Sequence, residues 1–149
     1  RYWQSLNISE EKLYRALALA NLLALWQKSK IGKLSAFCGA VSAASAAGAA
    51  ISYMKGGTKK QIGDTIINTL ASVGGIVCDG AKPSCALKIA TAVDCALMAH
   101  DMAINGMVFS DGEGLVKSDI EKTVESVCRM AREGMVDTDA KILEIMMEE

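Results

Sequence analysis

The residues of this sequence best suited to chemistry are two cysteines on either side of a short turn. Cys78 and Cys85 bracket a segment with Gly80 and Pro83, which ends one predicted helix and opens the next. A third cysteine, Cys38, precedes a stretch rich in Gly, Ala and Ser. Thiolates bind soft metals and iron–sulfur clusters, and a cluster with three protein ligands leaves one iron free. The alternative is that these are structural thiols of the core.

The other two cysteines are separated from this segment by helical geometry. Cys95 follows Cys85 by ten residues on one predicted helix, which corresponds to about 15 Å along the axis. Cys128 lies among Val124, Val127 and Ala131 on another predicted helix. We interpret both as core residues. Cys85, in contrast, is expected in the first turn of its helix, where unpaired N–H groups favour an anionic group.

Apolar residues recur at helical spacing along most of the chain, and no segment alternates with period two for long enough to predict a strand. We therefore predict an all-α, multi-helix domain over residues 1–149, packed around a central helix rich in Ala, Gly and Ser that ends near Gly56. Capping-box patterns predict three helix starts, namely Asn7 with Glu10, Thr58 with Gln61 and Ser118 with Glu121. Pro83 is expected in the first turn of the helix that carries Cys85.

Composition and charge exclude several functional classes. The sequence has 16 Lys and Arg against 17 Asp and Glu, a net charge of −1, and its basic residues are dispersed, so no nucleic-acid partner is predicted. Residues 34–54 are uncharged, but their small side chains predict burial among other helices and no membrane partner. An odd cysteine count and no recognisable secretory signal predict a reducing, cytoplasmic location.

Two segments of the sequence resemble a known family. Residues 68–88, NTLASVGGIVCDGAKPSCALK, and residues 38–44, CGAVSAA, resemble the L-cysteine desulfidases, which are relatives of the alpha chain of iron–sulfur L-serine dehydratases. The resemblance extends over about residues 32–135. Gaps of forty and seven residues between the three cysteines are similar to the desulfidase branch. The resemblance implies that Cys38, Cys78 and Cys85 ligate a 4Fe–4S cluster, and that the chain is the C-terminal portion of a larger protein.

The family's chemistry implies a small amino acid as substrate. With L-cysteine, iron makes the β-sulfur a better leaving group, and a base removes the α-proton as sulfide departs. The resulting enamine hydrolyses to pyruvate and ammonia. One alternative is the alpha-chain domain of an L-serine dehydratase. Another is a non-catalytic helical interaction module with structural cysteines. The isolated chain is expected to be inactive without the missing N-terminal part, and a homo-oligomer is left open.

The base that this reaction needs is not identified by the sequence. His100 follows Cys85 by fifteen residues, about 22 Å along a straight helix, which favours a structural role near Asp101. Lys82 and Lys88 are candidates for neutralising charge or binding a substrate carboxylate, with ordinary solvated lysines as the alternative.

Three polar residues near the cysteines have a structural and a functional interpretation. Asp79 is expected to cap its loop through backbone N–H groups. Ser42 and Ser45 lie on one face of the small-residue helix, where they either pack or donate hydrogen bonds to cluster sulfides.

Overall fold

The computed structural model describes residues 2–33 and 35–148, and most of these residues are helical. The small-residue segment and the segments on either side of the Cys78–Cys85 turn all form helices, so the predicted all-α fold is confirmed. A short N-terminal helix and a π-helical turn were not predicted. The elements are α1 (Tyr2–Leu6), α2 (Glu10–Ile31), α3 (Gly39–Met54), α4 (Lys59–Val73), α5 (Cys85–Ile104), α6 (Ile120–Arg129), the π-helical turn π1 (Met130–Gly134) and α7 (Val136–Met147).

The small-residue helix α3 contacts α1, α2, α4 and α5. Most of its residues are buried, because Ala, Ser and Gly side chains let neighbouring backbones approach closely. A Cβ atom added to Gly48 would lie 3.0 Å from the Cβ atom of Ala96 in α5. One apolar cluster joins α3 to α4 and α6 through Val41, Ile66 and Val124.

Helix capping explains where the helices begin and corrects two predictions. Thr58 and Gln61 form the predicted capping box of α4. The cap of α2 is Ser9 rather than Asn7, which instead takes a left-handed conformation with φ of 48°. Asp119 displaces Ser118 as the cap of α6 because its carboxylate accepts the Lys122 N–H at 2.8 Å.

Buried polar side chains of α4 hold the loop that follows α5. The Asn68 Nδ2 atom donates to the Met107 carbonyl at 3.0 Å, and its Oδ1 atom accepts the Phe109 N–H at 3.1 Å. Thr69 donates to the Thr65 carbonyl within the helix. These bonds satisfy polar groups that would be costly to bury unpaired, and they fix the path of the chain from α5 to α6.

The π-helical turn π1 is hydrogen-bonded to the end of α2 and to the segment that precedes α3. Ser35 donates to the Ala131 carbonyl at 2.7 Å, and the Arg132 Nη1 atom donates to the Lys30 carbonyl at 2.7 Å. Lys30 also pairs with Glu125 of α6 at 2.5 Å. The end of α2 is therefore bonded to both α6 and π1, and the loop that leads to Cys38 is bonded to π1.

Within the described residues, no helix combines the length and apolar character that crossing a membrane requires. The uncharged segment 34–54 is helical only from Gly39, and its first residue, Leu34, lies outside the described residues.

Candidate functional site

A pair of backbone hydrogen bonds joins the segments that carry Cys38 and Cys78. Phe37 and Val77 form an isolated antiparallel bridge, in which Cys38 N–H donates to the Ile76 carbonyl at 3.0 Å and Cys78 N–H donates to the Ala36 carbonyl at 2.6 Å. Successive side chains of an extended segment point to opposite faces, so Cys38 and Cys78, which each follow a paired residue, lie on the same face. They are diagonal neighbours, with Cα atoms about 7–8 Å apart. No pattern in the sequence predicted this bridge, because it joins short segments forty residues apart.

Two of the three candidate cysteines lie at helix N-termini. Cys38 is the N-cap residue of α3, and Cys85 is the first residue of α5, as expected for its place after the turn. Pro83 lies two residues before α5 rather than in its first turn, which corrects that prediction. The positive dipole ends of both helices point toward this end of the pair, where they favour negative charge. In contrast to the prediction, the N–H groups of Cys85, Ala86 and Leu87 are not free, because they donate to carbonyls of the preceding turn.

Cys38 and Cys85 open onto the same groove between α3 and α5. The groove has a volume of about 500 Å³, and its walls are small and aliphatic side chains, among them Ala43, Ala47 and Ile89. The ammonium-bearing side chain of Lys88 also lines it. Cys38 is buried, while Cys78 and Cys85 are partly exposed. The groove is therefore an apolar cavity with thiols and one cation at its end.

Lys88 links the cysteine segments. Its Nζ atom donates to the Val77 carbonyl at 2.9 Å and to the Asp79 carboxylate, on either side of Cys78. The bond to Asp79 raises the pKa of Lys88, and the nearby thiols of Cys38 and Cys85 act in the same direction. All three cysteines are thus close to one ammonium group. Cys78 lies between the two residues that Lys88 contacts, and Cys38 and Cys85 are near enough to affect its pKa.

Asp79 has a different role from the one predicted. Its carboxylate pairs with Lys82 and Lys88 instead of capping the loop through backbone N–H groups. These two hydrogen bonds lower the pKa of Asp79 to about 2. Lys82 and Lys88 are therefore ion-paired rather than free lysines, and their contact with a substrate stays a prediction.

The turn between Cys78 and Cys85 is shaped by Gly80. This residue has φ of +88°, a conformation that favours glycine, and the Cys85 thiol donates to its carbonyl at 3.4 Å. A Cβ atom at Gly80 would lie 3.1 Å from the methyl group of Met146 in α7. The C-terminal helix α7 therefore contacts the turn through Met146, while residues 81–84 are exposed.

The donor set suits a cluster better than a single ion. No three His, Cys, Asp or Glu side chains among residues 2–33 and 35–148 converge closely enough to hold a metal ion. A cluster binds each thiolate through a different iron, so its ligands lie farther apart than those of one ion. The site has the types of group that an anionic iron–sulfur cluster requires, namely three free thiols as ligands and two helix N-termini and a lysine as positive charge. Ligation by Cys38, Cys78 and Cys85 stays a prediction.

The other polar residues considered from the sequence have structural partners. Ser45 donates to the Gln27 side chain at 3.1 Å, and Ser42 donates to the Gly39 carbonyl at 3.2 Å, so both hydroxyls are used in packing. His100 is 1% exposed, and its Nδ1 atom lies 2.6 Å from the Ser52 hydroxyl. Burial lowers the pKa of His100.

The two remaining cysteines are core residues, as predicted. Cys95 is 7% exposed and Cys128 is 2% exposed. Burial raises the pKa of the Cys95 thiol, and it raises that of Cys128 to about 11. All five cysteines are free thiols.

The family model described as "Serine dehydratase alpha chain" matches residues 1–144. The chain belongs to this family. The family is associated with lyase enzymes and with iron–sulfur clusters. No solved structure is significantly similar to this chain.

The similar curated proteins are considerably longer than this chain. A "UPF0597 protein" of Lachnoclostridium phytofermentans is 54% identical over 146 residues, which are 98% of this chain and 35% of that protein. A "UPF0597 protein" of Treponema denticola is 53% identical over 148 residues, 99% of this chain and 34% of that protein. One of Finegoldia magna is 50% identical over 142 residues, 95% of this chain and 34% of its own length. The chain thus spans about a third of these relatives.

Proposed function

We propose that this serine dehydratase alpha chain domain holds a 4Fe–4S cluster on Cys38, Cys78 and Cys85 and takes part in β-elimination on a small amino acid. The observation that carries the proposal is the placement of Cys38 and Cys85 at the N-termini of two adjacent helices, on one groove. A cluster bound by three thiolates supplies an open iron that acts as a Lewis acid on the leaving group.

The bridge, Lys88 and the groove walls each have a role in this proposal. The bridge between residues 36–38 and 76–78 fixes the backbone on which two of the ligands lie. Lys88 holds the peptide on both sides of Cys78 and places a positive charge near the anionic group. The apolar walls of the groove limit water around the reacting amino acid, which strengthens electrostatic interactions there.

L-Serine is the substrate that the family match favours, because the matching family is that of the serine dehydratase alpha chain. L-Cysteine is the second candidate, and its support is the spacing of the three cysteines. Both reactions give pyruvate and ammonia, but only L-cysteine releases sulfide. The substrate is therefore distinguished by assaying pyruvate and sulfide together.

The base and the rest of the substrate site are proposed to lie in the remaining two thirds of the longer protein. His100 is buried against Ser52 in the core, away from solvent, so we do not assign the base to it. This chain alone is accordingly expected to form no pyruvate. The free thiols are also consistent with the proposed reducing, cytoplasmic environment.

Anaerobic reconstitution with iron and sulfide tests the cluster site. Visible absorption and the iron content of the protein are measured for the wild-type chain and for the Cys38→Ala, Cys78→Ala and Cys85→Ala variants. Cys95→Ala and Cys128→Ala are matched controls, because each removes a thiol from the core instead of the groove. Loss of uptake in the first three variants alone supports the proposal. A folded wild-type chain without uptake, or equal loss in the controls, contradicts it.

Full-length protein tests the reaction itself. The relative from Lachnoclostridium phytofermentans can be reconstituted in the same way and assayed with L-serine and L-cysteine. Formation of pyruvate that requires the cysteines equivalent to Cys38 and Cys85 supports a lyase. Cluster binding without pyruvate from either amino acid would exclude both substrates. A protein that neither binds a cluster nor forms pyruvate would favour the non-catalytic helical module.

A further inference from the structure

We infer that the outward surface of α2 is the interface through which two copies of this chain associate. This surface, the α2 face, consists of Tyr14, Leu17, Ala18, Asn21, Leu22 and Leu25. Its four large side chains are 63%, 50%, 66% and 65% exposed for Tyr14, Leu17, Leu22 and Leu25 respectively. Single exposed apolar residues are ordinary, but a continuous apolar row indicates an interaction surface.

The α2 face is a continuous stripe because its residues follow helical spacing. Tyr14, Leu17 or Ala18, Asn21 and Leu25 follow one another at steps of three or four residues, so their side chains lie along one side of the helix for about 17 Å. The residues that α2 buries against the rest of the chain, Ala16, Gln27 and Ile31, lie on the opposite side. The helix thus has two apolar sides, and only one has a partner in the described residues.

The charges at the ends of α2 favour an antiparallel second copy as the occupant. Its first turn carries Glu10, and its last turn carries Lys28. Lys30 does not contribute, because it pairs with Glu125 of α6 in the same chain. In an antiparallel pair, each acidic end lies beside the basic end of the other copy. A parallel pair would instead bring like charges together at both ends.

A two-fold axis near Asn21 gives the stripe a self-complementary register. Leu17 then packs against Leu25 of the second copy, and Tyr14 lies beside Lys28 of the second copy, where a cation–π contact is favourable. The two Asn21 side chains meet at the axis. The Asn21 Nδ2 atom donates one N–H to the Leu17 carbonyl at 2.8 Å, which leaves its second N–H to donate to the Oδ1 atom of the other Asn21 across the axis.

Sedimentation equilibrium of the 149-residue chain tests the interface. We expect a dimer for the wild type, and an increase of the dissociation constant by about 100-fold or more for Leu25→Glu, because the symmetry removes each Leu25 contact twice. Met98→Glu on α5 is the matched control, since Met98 is 61% exposed. Circular dichroism verifies that both variants remain folded. A monomeric wild type, or a Leu25→Glu variant that dimerises normally, overturns the inference and favours another part of the longer protein as the cover.

Cysteine cross-linking tests the antiparallel arrangement. In a two-fold antiparallel pair, residue 21 of each copy meets its equivalent, whereas residue 14 does not. Asn21→Cys is therefore expected to give a disulfide-linked dimer on mild oxidation and Tyr14→Cys is not, with the wild type treated identically as the background. Equal cross-linking of both variants indicates a parallel pair and overturns the proposed arrangement.

Discussion

Substitution of Gly48 by alanine tests whether the close packing of α3 positions the site. The added Cβ atom would lie 3.0 Å from the Cβ atom of Ala96 and 3.2 Å from its carbonyl oxygen, and 3.2 Å from Cγ2 of Thr65. The carbonyl belongs to the middle of α5, so the contact is relieved only if a helix moves. Overpacking of this kind costs about 1–3 kcal/mol, and the better helix propensity of alanine offsets about 1 kcal/mol. The net expectation is a loss of up to about 2 kcal/mol.

Gly63 in α4 provides the control. A Cβ atom there would meet only Ile120, at 3.7 Å, which is an ordinary contact. Gly63→Ala therefore gains about 0.5–1 kcal/mol from helix propensity alone. For a chain of this size, each kcal/mol changes Tm by about 2–4 °C. Calorimetry should show Gly48→Ala melting below the wild type and Gly63→Ala melting above it.

The same pair of variants connects packing to the site. Cys38 and Cys85 begin the two helices that meet near Gly48, so displacement of α5 should also decrease iron uptake on reconstitution. Gly63→Ala should leave uptake unchanged. If Gly48→Ala raised Tm as much as Gly63→Ala, the spacing between α3 and α5 would not be limiting, and the argument would be refuted.

Three further outcomes follow from single features of the structure. Burial lowers the pKa of His100 in the folded state, so the free energy of unfolding should be greatest above the unfolded-state pKa of 6.5 and should decrease as pH falls below it. The Tm of His100→Asn should therefore decline less steeply with decreasing pH than that of the wild type. Native alkylation at pH 8, followed by mass spectrometry, should label Cys78 and Cys85 before Cys128, whose pKa is about 11; early labelling of Cys128 would contradict its burial. Gly80→Ala should cost about 1–2 kcal/mol in urea unfolding because φ is +88°, and adding Met146→Ala should relieve the contact without removing that backbone cost.

Local signals in the sequence predicted the helices well. The Thr58–Gln61 capping box, the place of Cys85 in the first turn of α5 and the burial of Cys95 and Cys128 all follow from residues within a few positions of each other. The errors at Asn7 and Ser118 are also local. In both cases a nearby residue is the better cap, and the choice depends on backbone angles that the sequence pattern does not determine.

Contacts between distant segments could not be predicted in this way. The bridge at Phe37 and Val77 joins segments forty residues apart, and each is too short to show an alternating pattern. The place of Cys38 at the start of α3 depends on this bridge. Asp79 pairs with Lys88 across the turn. The neighbouring residues of Asp79 in the sequence predicted instead that it caps its own loop. The α2 face was also overlooked, because helical spacing alone does not reveal which of two apolar sides is buried.

The π-helical turn π1 sets the rotational phase of the C-terminal helix. Deleting one residue from Met130–Gly134 would restore a regular α-helical turn and rotate the chain that follows by about 100° about the axis of α6. Met146 would then no longer face Gly80. The number of residues in π1 thus determines which side chain of α7 faces the cysteine turn, so we expect a deletion within π1 to disturb this contact more than a substitution at an exposed position such as Glu133.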